Sequence, residues 1–457
     1  MTGPKLPPDA PTAAPVESIV RASGCPCAGL MIAVMTGLLF LAAVAVQHLS
    51  HTYRNQAQPV EPPSWIVAQA VKLVPEFTPE LLDPDGWGKM GMQMVNGQGL
   101  LEEGKLSAFR GPVPPLVFAA IVKMFGPSYE ALLWAQCVLF ALAGGAIGTL
   151  AQRLFGDRRI TLLTMLIYLA FIPAYPWFCH VYSEPLFTLL LALFLLAWTT
   201  SLEKSSRWSL ATGILLGVVA LCRPVMYFFI PFVLLYELWR KGLTRAATRS
   251  IAAIVLGFLL LEVPWIVRNY LVLDRVVVMT TGGKQALFLA TWYEQANWMG
   301  NVFHDEQRFP PAGKGFWKLP KDEQERLFGE MAAENFQRAP GKVLLLIPKR
   351  TMMFLFQMQD TGWLPTKKSL LLCGVLYPLA VLGYLLLSPD LRRRYAPLAW
   401  LVLFQIAFHS LLQAEYRYSH PVQPYIFLLS SAGLVGLGDR LVGHRFKQGA
   451  CRPTSAS

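Results

Sequence analysis

The sequence predicts an all-α polytopic membrane protein, with interfacial helices in a large first outer loop and a second long outer loop. Three observations point there. Of 457 residues, 54% are hydrophobic and only 15% charged, whereas soluble domains carry about a quarter charged residues. Apolar runs near the roughly 20 residues that cross a bilayer recur along the chain, about ten in all. The basic residues fall in short clusters on alternate loops, the pattern of the positive-inside rule.

Taken in order, Met1 to Ser23 is Pro/Ala-rich with no apolar period, so residues 1–28 read as a disordered cytoplasmic tail. Gly29 to Leu49 follows as a continuous apolar run. A secretory signal is the competing reading, because "AVAVQ" resembles a small-residue cleavage site. The run is longer than the usual signal core of about 7 to 15 residues, which favours a retained first helix. Further spans are expected at Ala131–Leu154, Ile160–Phe178, Glu184–Leu202, Trp208–Leu221, Val225–Trp239, Ile251–Val267, Ser369–Leu387, Ala396–Leu412 and Val422–Leu437. The Trp208 and Val225 segments are short and separated by "CRP", so they read as one broken hairpin. These spans give a transmembrane core over residues 29–267, a long outer loop over 268–368, C-terminal helices over 369–437 and a basic cytoplasmic tail over 438–457.

Charge sets the expected orientation. Arg153, Arg158 and Arg159; Lys204 and Arg207; Arg240, Lys241, Arg245 and Arg249; Arg392 to Arg394; and Arg440, Arg445 and Lys447 lie on alternate loops. These become cytoplasmic with the N-terminus inside, Lys367 and Lys368 being the exception. The same scattering argues against nucleic-acid binding despite the net charge of +12, because no continuous basic, aromatic-interleaved patch exists. The seven cysteines are mostly single and inside apolar runs, so no disulfide framework or zinc site is implied. Walker, HExxH, GxSxG and dinucleotide fingerprints are all missing from the sequence, which disfavours a pump or a soluble-type hydrolase.

The polar chemistry gathers on the outer side. In the first loop, residues 50–129, "SWIVAQAVKLV" and "PPLVFAAIVKMFG" are apolar but short, consistent with interfacial helices. Between them, "LLDPDGWGKMGMQMVNGQGL" carries Asp83 and Asp85. A carboxylate there can serve as general base, hard-cation ligand or sugar-orienting acceptor, and the ordinary alternative is a turn. Glu184 and Tyr182 lie in "HVYSEPLF", where Glu184 is also suited to the positive end of a helix dipole. The adjacent His180 reads as a satisfied interfacial histidine. Arg110, Arg223, Arg268, Lys284 and Arg417 complete the outer set. Arginines at a membrane edge suit phosphate binding, although helix-end arginines also simply anchor spans. "TTGGKQ" reads either as backbone donors for a phosphate or as a plain glycine turn. In "DEQERLFGEMAAENF", a capping box from Asp322 to Glu325 is expected, with an apolar stripe of Leu327, Phe328 and Met331.

The order of "NGQGL", "FRGPVPPLVFAAIVKMFG", "LAQRLFGDRR", "YSEPLFTLLLALFLL", "LGVVALCRPV", "VPWIVRNYLVLDRVVVMTTGG" and "EYRYSHPVQPYIFLL" resembles bacterial C-type glycosyltransferases. This is the superfamily of protein O-mannosyltransferases and lipid A aminoarabinose transferases. The resemblance implies an enzyme of the bacterial plasma membrane, with its site on the periplasmic or outer face. Its donor would be a sugar on a polyprenyl phosphate, and its acceptor a lipid, glycan or protein. It also implies catalysis by a first-loop carboxylate. Asp83, four residues before Trp87, matches the expected position, and Asp85 is the alternative. The family usually has Tyr where Trp87 stands and Ala where Gly91 stands, which leaves the choice of aspartate open. Glu184 becomes a sugar- or acceptor-binding acid, and Arg268, Arg417 and Arg223 phosphate-binding candidates. A divalent cation on the Asp-x-Asp pair stays open, with no metal ligands assigned. The alternative function is a transporter or flippase of a lipid-linked sugar, for which Glu262 is the clearest near-interior acid.

Overall fold

A computed structural model describes residues 26–54, 82–102, 104–171, 178–203, 206–292, 315–356 and 367–441. The expected N-terminal tail, the "SWIVAQAVKLV" segment, Lys204 and the C-terminal tail lie almost wholly outside the described residues. Within them the chain is nearly all helix. The exception is a hairpin of two short antiparallel strands, β1 (Leu101–Glu102) and β2 (Lys105–Leu106).

The first apolar run forms α1 (Pro26–Arg54), and the first long loop contributes α2 (Trp87–Val95) and α3 (Val113–Phe125). Next come α4 (Tyr129–Phe155), α5 (Arg158–Ala170), α6 (Glu184–Ser201) and α7 (Ser206–Cys222). A 3-10 turn over Pro224–Phe229 runs directly into α8 (Ile230–Lys241), and α9 (Arg245–Leu273) closes the N-terminal half. The second long loop holds α10 (Gly283–Thr291), α11 (Lys321–Arg338) and α12 (Pro340–Phe356). The chain continues through α13 (Lys367–Leu386), α14 (Pro389–Leu411), a 3-10 turn over Tyr416–Val422 and α15 (Gln423–Leu441).

Length separates these helices into two sets. Among the described residues, five segments are long and apolar enough to cross a membrane: Cys27–His48, Tyr129–Phe155, Glu184–Ser201, Arg245–Leu273 and Arg417–Leu441. Of the other expected spans, Ser369–Leu387 lies almost wholly in the 20-residue apolar helix α13, and the rest are helical but shorter or more polar. The 13 residues of α5 rise only about 20 Å at 1.5 Å each, against a hydrocarbon core of roughly 30 Å. In α14 the first turns carry Arg392 to Arg394. A run of apolar letters thus overstates the length of regular helix at several places, although the protein remains a polytopic membrane bundle.

Lipid is as apolar as the helix surfaces, so close backbone approach is a main source of packing in such bundles. Gly213 on α7 and Gly257 on α9 show it. A Cβ on Gly213 would lie 2.0 Å from the Ile254 carbonyl oxygen, and one on Gly257 2.4 Å from that of Leu210. Around this contact a continuous core of Phe194, Trp198, Phe229, Tyr395 and Tyr425 ties α6, the Pro224–Phe229 turn, α14 and α15 together. In the second long loop, Phe288, Trp292, Phe316, Phe328 and Ala332 make a smaller core, with Leu327 and Met331 packed on it as the stripe predicts.

The capping box at Asp322 does not form. Pro320 is the N-cap, so α11 starts at Lys321 and Asp322 falls inside the first turn. There it pairs with Arg275 at 2.5 Å, while Glu325 accepts a hydrogen bond from the Lys284 backbone N–H at 3.2 Å.

Candidate functional site

The site begins at the turn that starts α2. The Gly86 N–H donates to the Asp83 carbonyl at 2.9 Å, and Gly86 takes φ 72°, the left-handed region that glycine enters without strain. The turn presents its two carboxylates differently. Asp83 is 6% exposed, and its Oδ2 accepts from the Lys89 backbone N–H at 2.8 Å, at the positive end of α2. Its Oδ1 is buried without a hydrogen-bond partner. Burial pushes the Asp83 carboxyl up to about 6, against the lowering by the N–H groups of Lys89, Gly88 and Trp87.

Asp85 meets arginine. Its Oδ2 accepts from Arg417 Nη1 at 2.9 Å and from the Trp87 indole N–H at 3.3 Å. Burial raises the Asp85 carboxyl, but the charges of Arg417, Arg110 and Arg223 outweigh burial and hold it below the usual aspartate value. The Arg110 guanidinium lies over the other side of this arrangement, 4.8 Å from the Trp87 ring centre, and pairs with Glu102 at 3.6 Å.

The "HVYSE" loop is pinned to α2's turn and to α4. The Val181 N–H donates to the Leu82 carbonyl at 2.8 Å. Gln136, fully buried on α4, donates to the carbonyls of His180 and Tyr182 at 3.0 and 2.7 Å. This places Glu184 at the first turn of α6, where it is 1% exposed. Its Oε1 accepts from Arg223 at 2.5 Å and lies 3.9 Å from Arg417. Arg223 also donates to Ser183 Oγ at 3.1 Å. A carboxylate this buried needs such partners, because removing either ion leaves an uncompensated charge.

Arg417 is the hub. Its guanidinium stacks near Tyr182 and Tyr418, at 5.4 and 5.6 Å from the ring centres. One edge is held by Glu415 at 2.6 Å and another by Asp85. Glu415 in turn accepts from Gln413 at 3.0 Å and from the Tyr418 hydroxyl at 3.1 Å. Residues from the first loop, the start of α6, the end of α7 and the turn before α15 thus converge on one guanidinium pair.

Residues 110–267 match the family model described as dolichyl-phosphate-mannose-protein mannosyltransferase. Over this segment the chain is similar to that family. The match takes in Arg110, Tyr182, Glu184 and Arg223 and ends before Arg268. No curated protein matches the chain. Among solved structures, the chain is similar to the Archaeoglobus fulgidus oligosaccharyltransferase tethered with an acceptor peptide, at 14% identity and TM-score 0.48. That alignment covers 90% of this chain and 52% of the other. ArnT from Cupriavidus metallidurans bound to undecaprenyl phosphate aligns at 14% identity and TM-score 0.35, covering 88% of this chain and 77% of that one. The chain spans about half the length of the archaeal enzyme.

The structure brings together Asp83, Asp85, Tyr182, Glu184, Arg110, Arg223 and Arg417. It gives Arg268 and Lys284 other partners. Arg268 donates to the Ser107 carbonyl at 2.8 Å and to Asn269 at 3.0 Å. "TTGGKQ" forms the start of α10 with Gly282 as N-cap, and the Lys284 N–H is taken by Glu325. A phosphate cradle there would have to displace that carboxylate. The two aspartates turn to different partners, and among the described residues no group of three or more acidic, histidine or cysteine side chains converges to hold a metal ion.

Sequence reasoning missed Glu415, Tyr418 and Gln136. Glu415 and Tyr418 flank Arg417 in "EYRYSH", so their spacing was a readable signal. Gln136 sits in an otherwise apolar span, and a lone amide there signals a satisfied contact. Gly91 also gains a reason. A Cβ on it would lie 2.8 Å from the Ala119 backbone nitrogen and 3.0 Å from Phe118, so α2 rests on the backbone of α3.

Proposed function

We propose that the chain transfers a sugar from a polyprenyl-phosphate donor to a lipid, glycan or protein acceptor. The site would lie on the outer face of the bacterial plasma membrane, with the N-terminus cytoplasmic. The observation that supports this most is a buried carboxyl poised near neutrality, Asp83, adjacent in the same turn to an aspartate gripped by a guanidinium cluster. In this reading residues 50–129 form the catalytic loop, and residues 268–368 cover the outer side.

Asp83 acts as base and Arg223 and Arg417 receive the phosphate. The acceptor hydroxyl attacks the anomeric carbon from the face opposite the phosphate. A new glycosidic C–O bond forms and the sugar–phosphate C–O bond breaks, with inversion. The acceptor proton passes to Asp83, and the electron pair leaves on polyprenyl phosphate. Charge grows mainly on the departing phosphate, so fixed guanidiniums contribute most there. Tyr182 supports Arg417 from one face, and Glu184 keeps Arg223 in place. The cluster's contacts favour Arg223 and Arg417 over Arg268 and Lys284 as phosphate ligands.

The test is transfer by the purified chain in lipid vesicles, read by mass spectrometry of donor and acceptor. Asp83→Asn should lose at least a hundredfold in rate, the scale of general-base catalysis. The wild-type rate should fall as pH drops through about 6, where Asp83 takes up its proton. An Asp83→Asn protein that transfers at the wild-type rate refutes the assignment. A chain that moves a fluorescent lipid-linked sugar between leaflets while transferring none is a carrier instead.

A further inference from the structure

The guanidinium hub holds one carboxylate too many for an incoming anion. In direct contact, Arg223 and Arg417 face three acids, Asp85, Glu184 and Glu415. The next guanidinium, Arg110, already has Glu102. A phosphate brought to Arg417 would therefore enter a site of net negative charge, and like charges at this range oppose binding strongly. One carboxylate has to give way.

The three acids are not tied equally. Glu184 is 1% exposed and holds Arg223 at 2.5 Å. Glu415 accepts from three donors, Gln413, Tyr418 and the Nε edge of Arg417. Asp85 has only Arg417 Nη1 at 2.9 Å and the Trp87 indole at 3.3 Å, the second beyond the usual range for such a bond. Its side chain keeps 18% exposure against 25% for Glu415, so the fewer and longer hydrogen bonds, not exposure, make Asp85 the looser of the two. The turn that carries it is anchored independently through Asp83, by the Gly86 and Lys89 N–H groups. Arg417 would stay in place without it, gripped by Glu415 and flanked by two tyrosines.

From this inequality we infer that Asp85 is an internal stand-in for the donor's phosphate: it occupies the Nη1 edge of Arg417, yields that edge when the phosphate arrives, and so sets donor affinity. The two aspartates of one turn then have separate tasks. Asp83 takes the acceptor proton, and Asp85 competes with the donor. Release of product follows from the same exchange, because the returning Asp85 helps expel polyprenyl phosphate. This inference rests on the proposed use of a polyprenyl-phosphate donor.

The test is equilibrium binding of a polyprenyl phosphate without sugar to the purified full chain in detergent. Wild type, Asp85→Asn, Asp85→Ala, Asp85→Glu and Arg417→Met are compared, with helical content checked for each. Asp85→Asn and Asp85→Ala should bind about tenfold tighter than wild type, the effect of removing one nearby like charge. Asp85→Glu should stay within about threefold of wild type because the charge remains, and Arg417→Met should bind weakly. Wild-type binding with no tightening in either neutral variant overturns the inference and leaves the proposed function standing. So does wild-type binding that needs added Mg2+ and is lost in Asp85→Asn, which would make Asp85 a cation ligand. If neither wild type nor the neutral variants bind polyprenyl phosphate, the proposed function itself fails.

Discussion

Replacing Asp83 with Asn should make the protein more stable at neutral and alkaline pH while disabling it. The Asp83 carboxyl is ionised above about 6 in the folded chain, against an ordinary value of 3.8. Folding therefore raises its affinity for a proton by about two powers of ten, which corresponds to about 3 kcal/mol at roughly 1.4 kcal/mol per tenfold. The sign follows from proton linkage. Between pH 4 and 6 the folded state holds more protons than the unfolded one, so stability declines as pH rises through that window and then levels. Asn has no such titration. Its Oδ1 can still accept from the Lys89 N–H, while its amide nitrogen replaces the partnerless Oδ1, adding a pH-independent cost of about 1–3 kcal/mol. The diagnostic is therefore the slope and not the offset. Thermal midpoints of both proteins in one detergent, taken from pH 4 to 8, should show the variant gaining on wild type up to about pH 6 and holding that gain above it. A difference that stays flat with pH, or shrinks as pH rises, would refute the burial argument.

Two further outcomes follow from packing and charge. Gly91→Ala should cost about 1–3 kcal/mol of stability, because the new Cβ meets the α3 backbone at 2.8 Å and backbone cannot yield as a side-chain tip can; calorimetry in detergent would show it. Arg223→Met should destabilise by about 3 kcal/mol by leaving buried Glu184 with only Arg417, at 3.9 Å, and adding Glu184→Gln should restore much of that loss. Equal loss in the single and double variants would mean that packing of Arg223 against Phe187, not charge, is what matters.

The sequence alone determined that the chain lies in a membrane as a helical bundle, because composition and apolar run length are set by the solvent and need no tertiary contact. It also named most of the residues that converge in the cluster, since ionisable residues at helix ends stand out against an apolar background. Helix length was less legible. An apolar run does not say where regular geometry stops, as α5 and the 3-10 turn over Pro224–Phe229 show, although the break at "CRP" was readable. Tertiary structure decided the division of labour. Asp83 and Asp85 are two residues apart and chemically identical in sequence, and only the fold sets one against the N–H groups of α2 and the other against Arg417, 332 residues away. It also separated Arg268 and Lys284 from the cluster, because a side chain's partner depends on elements brought together from distant parts of the chain. Charge type is local information, but the field a charge sits in is not.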